Sequence, residues 1–198
     1  MGNVTRSQSQ NIKSPDGNSL AVFVDGDDDV MKIKDVRGNV EPISNYLTKF
    51  GSFYDTTTQT ALGNNTPTPM NFNTTDVSNG VSIEDDTKIV VENNGYYNIQ
   101  FSAQLDRVAG NGVVGVEIWF RKNGIDIPNS NTRVTMTGNT NQSHLVASWN
   151  FISHINSNEN IEIIWNTPTT NIKMIAEPEN LIIPYPAIPS VILTVNKI

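Results

Sequence analysis

The chain has 198 residues, a formal net charge of −7, 37% hydrophobic residues, 17% charged residues and no cysteine. This composition is too apolar for a disordered chain, and no apolar run approaches the roughly 20 residues of a membrane helix, so we expect no membrane insertion. No nucleic-acid partner is expected, because the scattered basic residues form no patch that would neutralise phosphates. The lack of cysteine excludes disulfides, thiolate nucleophiles and thiolate metal sites.

Residues 1–48 are predicted to form an N-terminal arm and attachment segment. Residues 1–19 are polar and show no periodicity, so we expect an extended arm. Apolar runs at 20–24 and 30–36 predict two strands on either side of an acidic turn, and residues 43–50 are expected to form a helical turn or a linker. The first residues lack the apolar core of a signal peptide, so an extracellular role is expected to need another route, such as release inside an assembled particle.

Residues 51–198 show the periodicity of strands. In the segment 95–105, five apolar residues alternate with polar ones: Tyr97, Ile99, Phe101, Ala103 and Leu105. The same pattern predicts strands near 114–120, 145–151, 161–165 and 191–195, with shorter ones at 81–83, 88–91 and 172–175. Asn94-Gly95 and Asn123-Gly124 predict tight hairpin turns, because these dipeptides accept positive φ. About eight or nine strands without a helical period predict an all-β, antiparallel sandwich or jelly roll.

Four motifs in residues 51–198 resemble the C1q/TNF-like domain. The segment 95–103 is similar to the central strand of that family, and 114–124, which ends in Lys122-Asn123-Gly124, is similar to its next strand and hairpin. The segments 142–155 and 160–163 resemble its long apolar strand, turn and following strand, and 189–195 resembles its C-terminal strand. The resemblance implies a homotrimeric antiparallel jelly-roll sandwich. The chain departs from the family in its aliphatic C-terminal strand and in the long, proline-rich stretch 177–189.

Residues 24–39 follow the pattern V-D-G-x-D-D-x-x-K-I-K-D-x-x-G-N, which resembles segments of phage and other viral structural proteins. A small attachment module before a C1q/TNF-like head implies a fibre, head-fibre or decoration protein that is made in the host cytoplasm and built into the virion. The segment 1–48 would bind other virion proteins, and the head 51–198 would bind a host glycan or protein receptor or stabilise a capsid. We predict contact loops at 128–142 and 177–189, since binding residues often lie in loops at the ends of a sandwich.

Some apolar residues remain on the polar side of the predicted strands: Tyr96, Trp119, Val146 and Ile152. Grouped apolar residues on a surface indicate an interface, so we interpret them as contacts between copies of the chain. The alternative is that they lie beneath loops of the same chain.

Two motifs have a literal match to known ligand sites but the wrong context. Gly110 to Gly115 reads G-x-G-x-x-G, yet a strand is predicted after it where a dinucleotide site needs a helix, so we predict a glycine-rich loop. Asp25, Asp27 and Asp29 have the spacing of calcium ligands, but the glycine and glutamate of an EF-hand are replaced by Val30 and Val36. We therefore favour a solvated acidic turn, with a calcium ion shared between chains left open.

The histidines and tryptophans give no clear site. His144 and His154 would stand about 33 Å apart on one extended strand, so they cannot chelate one metal there, and we expect surface or interface histidines. Trp119, Trp149 and Trp165 are candidate sugar platforms, although Trp149 and Trp165 fall on predicted core faces.

The sequence assigns no catalytic, cofactor-binding or metal-binding residue, and we expect no enzyme. The carboxylate pairs Asp85-Asp86 and Glu177/Glu179 fall in predicted turns. Two other hypotheses stay open, because fold alone does not decide function. One is a cellular C1q-like adhesion or lectin-like module, and the other is a carbohydrate-active enzyme on a jelly-roll scaffold that would use Glu177 or Asp106.

Overall fold

The computed structural model of the protein describes residues 3–4, 13, 17, 20–44, 48–138 and 143–198. The chain divides into two compact units, Met1–Lys49 and Phe50–Ile198. Most of the predicted arm, residues 1–19, lies outside the described residues. No helix within the described ranges has the length and apolar character needed to cross a bilayer.

The described residues form strands β1 to β18. Their bounds are β1 Asn3–Val4, β2 Ala21–Asp25, β3 Met31–Lys34, β4 Val40–Pro42, β5 Phe50–Asp55, β6 Gln59–Thr60, β7 Thr68–Pro69, β8 Thr74–Asn79, β9 Val81–Glu84, β10 Lys88–Val91, β11 Gly95–Arg107, β12 Gly112–Lys122, β13 Ile125–Asp126, β14 Thr132–Gly138, β15 Ser143–Ile155, β16 Asn160–Asn166, β17 Ile172–Met174 and β18 Val191–Lys197.

The first unit is a four-stranded sheet in the order β1-β2-β3-β4. The two predicted strands are confirmed as β2 and β3, which pair antiparallel and bury Phe23 and Ile33. Strand β4 was not predicted; it pairs with β3 and ends at Pro42, at the edge of the sheet. Residues 43–44 are helical, and the backbone N–H of Thr48 donates to the carbonyl of Ser44 at 2.8 Å.

The second unit contains two seven-stranded antiparallel sheets, as expected for a β-sandwich. The β11 sheet has the order β6-β17-β11-β18-β5-β8, with β15 on the other side of β11. The β12 sheet has the order β13-β12-β16-β10-β9, with β14 paired to β12 and β7 paired to β16. The two longest strands of the β11 sheet, β11 and β15, pair along their full thirteen residues.

One hydrophobic core is lined by both sheets, and the predicted alternation accounts for it. The five apolar residues of β11 predicted to face inward are all buried. Phe101 of β11 meets Phe120 of β12 and Trp149 of β15 edge to face, with ring centroids 6.2 and 4.6 Å apart. Trp149 and Trp165 pack in or against this core, so their predicted packing role is confirmed.

The turns confirm one of the two predicted hairpins. Asn123 and Gly124 have φ of 49° and 79° and join β12 to β13, as predicted. Asn94-Gly95 does not form a hairpin, because β10 lies in the β12 sheet and β11 in the β11 sheet, so this turn crosses between sheets. The turn predicted at Asp85-Asp86 is confirmed: it joins β9 to β10, with φ of 49° and 60°.

The predicted contact loop 128–142 is wrong at residues 132–138. Residues Thr132–Gly138 form β14, which pairs with Gly112–Ile118 of β12. The inward residues of β14 are apolar: Met136 is buried and Val134 packs against the core. Polar residues between them face outward and gave this strand the appearance of a loop. Residues 139–142 lie outside the described part of the chain.

Candidate functional site

The outer side of the β11 sheet is a continuous surface without charged side chains at its centre. From Tyr96 to Gln104 on β11, and on the neighbouring parts of β15 and β18, the outward residues include no Asp, Glu, Lys or Arg; Asp106 lies beyond this region, at the end of β11. We call this surface the uncharged face; it consists of Tyr96, Asn98, Gln100, Ser102, Gln104, Val146, Ser148, Asn150, Ile152, Ile192, Thr194 and Asn196. Charge-free centres of this kind distinguish the cores of protein–protein interfaces from ordinary surface.

Three of the four apolar residues predicted at an interface lie on the uncharged face. The exposed fractions of Tyr96, Val146 and Ile152 are 57%, 55% and 52%. Between them, the side-chain amide N–H of Asn150 donates to the side-chain oxygen Oδ1 of Asn98 at 3.0 Å. These residues are not covered by loops of the described chain, so the alternative interpretation fails for them. Trp119 was wrongly grouped with them, because it lies on the outer side of the other sheet.

The two histidines mark the two ends of β15 on the uncharged face. Both side chains are exposed, as predicted, and each faces a residue of β11. His154 meets the ring of Tyr96 edge to face, with centroids 5.1 Å apart. His144 Nδ1 lies 3.5 Å from Oδ1 of the buried Asp106, an oxygen that has no hydrogen-bond donor among the described residues. Asp106 is therefore a buried carboxylate on the rim of this face.

The outer side of the β12 sheet carries ion pairs instead. We call this surface the charged face; it consists of the outward residues of β12, β14 and β16, which include Glu117, Trp119, Arg121, Arg133 and Glu162. Glu117 pairs with Arg133, and Arg121 Nε donates to Asp126 Oδ1 at 2.8 Å. The indole N–H of Trp119 donates to the same Asp126 oxygen at 2.8 Å. The bond from Arg121, followed by that from Trp119, lowers the pKa of Asp126 below its usual 3.8.

A hairpin projects between β17 and β18, where the sequence predicted a contact loop at 177–189. Its base is closed by reciprocal backbone hydrogen bonds between Glu177 and Ile188, at 2.8 and 2.9 Å. Asn180 and Tyr185 form a second reciprocal pair, at 3.1 and 3.2 Å. The hairpin is thus a defined structure, and its tip consists of Leu181, Ile182, Ile183 and Pro184.

A groove of about 740 Å³ separates the base of this hairpin from the β11 sheet. Its floor is formed by Tyr54 of β5 and Ile192 of β18, which are directly paired and point outward. Its other wall is formed by Pro178 and the segment 186–189 of the hairpin, and the acids Asp76 and Glu177 lie among the lining residues. The groove is therefore mainly apolar and opens next to the uncharged face.

No protein-family model matches the chain, and no curated protein matches it significantly in sequence.

The glycine-rich segment 110–115 joins β11 to β12. Strand β12 begins at Gly112, so no helix follows the glycines, as predicted. The loop is held by the buried Arg107, whose guanidinium donates to the carbonyls of Ala109, Asn111 and Gly112 at 3.3, 2.6 and 2.5 Å. Sequence reasoning missed Arg107, and its only signal was a basic residue at the end of an alternating strand.

The acidic turn of the first unit is organised by a lysine. Lys32 Nζ lies 2.8 Å from Asp25 Oδ2 and 2.8 Å from Asp28 Oδ2, so one ammonium group bridges two carboxylates. Hydrogen bonding to Lys32 lowers the pKa of Asp28, and hydrogen bonding to Asp25 and then Asp28 raises the pKa of Lys32. The backbone N–H of Asp27 donates to Asp25 Oδ1 at 3.1 Å. Residues 26–30 are exposed, as expected for a solvated acidic turn, and the Lys32 ion pairs, which were not predicted, stabilise it.

Two of the remaining candidate carboxylates, Asp85 and Glu177, have partners within their own turns. Asp85 accepts a 2.7 Å hydrogen bond from Lys88 Nζ within the β9–β10 turn. Glu177 lies at the hairpin base and accepts a hydrogen bond of 3.4 Å from the Tyr185 hydroxyl. No group of three or more His, Asp or Glu side chains within the described ranges is arranged to hold a metal ion.

Proposed function

We propose that this chain is a structural protein of a virus or phage particle, a fibre, head-fibre or decoration protein. Its first unit would attach to other virion proteins, and its second unit would form a homotrimeric C1q/TNF-like head that binds a host glycan or protein receptor. The observation that carries the proposal is the uncharged face, because a surface of this composition is suited to contact between copies of the chain.

Strand order supports a jelly roll. Eight main strands, taken in chain order, are β5, β10, β11, β12, β14, β15, β16 and β18. One sheet joins the first, eighth, third and sixth of these, and the other joins the second, seventh, fourth and fifth. An eight-stranded double sheet with two Greek keys has this type of connection.

The composition of the uncharged face supports a trimer. Interface cores are depleted of charged residues and enriched in aromatic ones, and a stable contact buries about 800 Å² on each partner. Tyr96 and Ile152 provide exposed apolar area, while the amides of Asn98 and Asn150 retain hydrogen-bonding groups for a partner. Cyclic contacts of this kind close into a ring and leave no copy with an open end.

The separate sheet of the first unit supports an attachment role. The polar residues of the viral-type pattern stabilise its turns: Lys32 bridges Asp25 and Asp28, and Asp35 Oδ1 accepts hydrogen bonds from the backbone N–H groups of Arg37 and Asn39 at 2.9 and 2.8 Å. The pattern therefore specifies a small folded module, which an attachment role requires.

The proposal is tested by the molar mass of the protein in solution, by its association with virus particles and by its binding to glycans. Light scattering is expected to give three times 21.8 kDa, and mass spectrometry of purified particles from the source is expected to detect the chain. Deleting residues 1–48 should abolish particle association and leave the trimer intact. A trimer that is absent from particles and binds glycans would instead identify a cellular adhesion or lectin-like module, and a monomer would contradict the proposed head.

A further inference from the structure

The tip of the hairpin between β17 and β18 exposes three consecutive aliphatic side chains. The exposed fractions of Leu181, Ile182 and Ile183 are 84%, 94% and 68%. Scattered apolar residues are normal on a protein surface, but adjacent ones on a projecting element indicate a contact site.

The tip is preorganised. The side-chain oxygen of Asn180 accepts hydrogen bonds from the backbone N–H groups of Ile182 and Ile183 at 2.9 and 3.0 Å. The Asn180 amide also contacts the Tyr185 hydroxyl at 3.4 Å. These bonds fix the turn while its aliphatic side chains point away from the chain. Such a tip loses little conformational freedom when a partner covers it.

We propose that the tip of this hairpin in one copy of the chain seats in the groove lined by Tyr54, Ile192 and residues 186–189 of a second copy. The inference rests on the homotrimer of the proposed function and names a contact that would link its subunits. Each copy would donate one tip and accept one, which is the head-to-tail arrangement that closes a ring.

The observations favour a second copy as the occupant. The tip carries no charge, and the groove floor of Tyr54 and Ile192 is apolar, so their surfaces match. Ile192 belongs to the uncharged face, so the groove is continuous with the surface that the proposed trimer would bury. The arm from the pair at Glu177 to the pair at Asn180 covers four residues, about 13 Å when extended, and the turn at 181–184 lies beyond it, so the tip projects toward a neighbouring copy.

A lipid surface fits less well. The segment from Met174 to Asn196 contains Glu177 and Glu179 but no lysine, arginine or histidine. Apolar tips that bind anionic membranes are usually accompanied by basic residues, which this hairpin lacks.

The cysteine-free chain permits a direct test by cross-linking. Two full-length variants with different tags, Ile182→Cys and Ile192→Cys, are unfolded, mixed, refolded and oxidised. Because each chain holds one cysteine, a disulfide between them reports contact between subunits, and it requires Cα atoms within about 7 Å. The matched control replaces Ile192→Cys with Ile125→Cys, at an aliphatic residue on the β12–β13 hairpin that is more exposed than Ile192 and therefore at least as accessible to oxidation.

We expect a disulfide between the Ile182→Cys and Ile192→Cys chains, at least tenfold more abundant than in the control. If the wild-type chain is a trimer and the cross-link does not exceed the control, the tip contact is overturned and the trimer stands. A monomeric wild-type chain overturns both.

A second variant tests the contribution of the tip without cross-linking. Ile182→Asp replaces a side chain that is almost fully exposed in its own copy, so the variant should retain its fold. Its trimer dissociation constant is expected to rise at least about 30-fold, the loss typical of an interface hot spot, while Ile125→Asp stays near wild type. Unchanged trimers of Ile182→Asp, or binding to phosphatidylcholine vesicles that this substitution abolishes, would overturn the proposal.

Discussion

The outer faces of the two sheets in the second unit are both formed by strands, but their outward positions carry different types of side chain. On the charged face, acidic and basic side chains pair with each other, as Glu117 does with Arg133. On the uncharged face, the outward positions carry amides, hydroxyls and apolar groups, and Tyr96 and Ile152 are more than half exposed among the described residues. The ion pairs of the charged face favour contact with water. The uncharged face, by contrast, has a composition that is suited to burial by another copy of the chain. Substitutions on the two faces test this difference, and a substitution in the loop between the sheets provides a measure of stability that does not involve either face.

The largest effect is expected from a charge on the uncharged face. Ile152→Asp should raise the trimer dissociation constant roughly 100-fold or more, since an uncompensated buried charge costs about 3–5 kcal/mol. Light scattering over a dilution series measures it. The control is Val113→Asp, an exposed aliphatic residue on the charged face, which should leave the mass unchanged. Equal effects of the two substitutions would remove the distinction between the faces.

A smaller effect is expected at the loop that joins β11 to β12 and so connects the two sheets. Arg107→Met should lower the free energy of unfolding by about 2–3 kcal/mol, because three carbonyls lose hydrogen bonds to a charged group. Urea unfolding of the isolated head measures this, and Arg133→Met, a substitution of an exposed arginine, is the control. A change below 0.5 kcal/mol, the usual range for surface substitutions, would show that the loop does not depend on Arg107.

A surface ion pair of the charged face should contribute less. Glu117→Gln is expected to change the free energy of unfolding by no more than about 1 kcal/mol, as for other solvent-exposed pairs. Trimer mass should not change. A shift in the dissociation constant comparable to that of Ile152→Asp would mean that the charged face also contacts a neighbouring copy.

The smallest predicted effect is a titration on the charged face. The pKa of Asp126 is lowered by Arg121 and Trp119, so the bond to the Trp119 indole is present at pH values above 3.8 and is lost only as pH falls through the lowered value. The NMR shift of the Trp119 indole N–H should therefore titrate with a midpoint below 3.8. Asp126→Asn should abolish this transition, and a midpoint above 3.8 would contradict the assigned bonds.

Alternation predicted the inner face of the head well, because a half-buried strand must place its apolar residues on one side. Tyr97 to Leu105 illustrate this, and every predicted core position of β11 is buried. Strands with polar sequences were missed. Thr74–Asn79 forms β8 only because it pairs with β5, and β14 has few apolar residues to reveal its period. Such strands depend on their neighbours, which a linear pattern does not contain.

The candidate interface was predictable only in part. Alternation showed that Tyr96, Ile152 and Trp119 point away from the core, but it does not tell which sheet's outer side each one occupies. Pairing supplies that information: Tyr96 faces His154 across β11 and β15, whereas Trp119 lies opposite Ile164 in the other sheet.

Lys32 gives the acidic turn of the first unit a practical property. A cation is supplied to Asp25 and Asp28 by the chain itself, through a covalently attached ammonium group. Such a counter-ion is not removed by dilution, by a chelator or by a change in the divalent-cation concentration of the solvent. We therefore expect the turn to keep its shape in EDTA, so that a module of this design enters each new environment with its own ion in place.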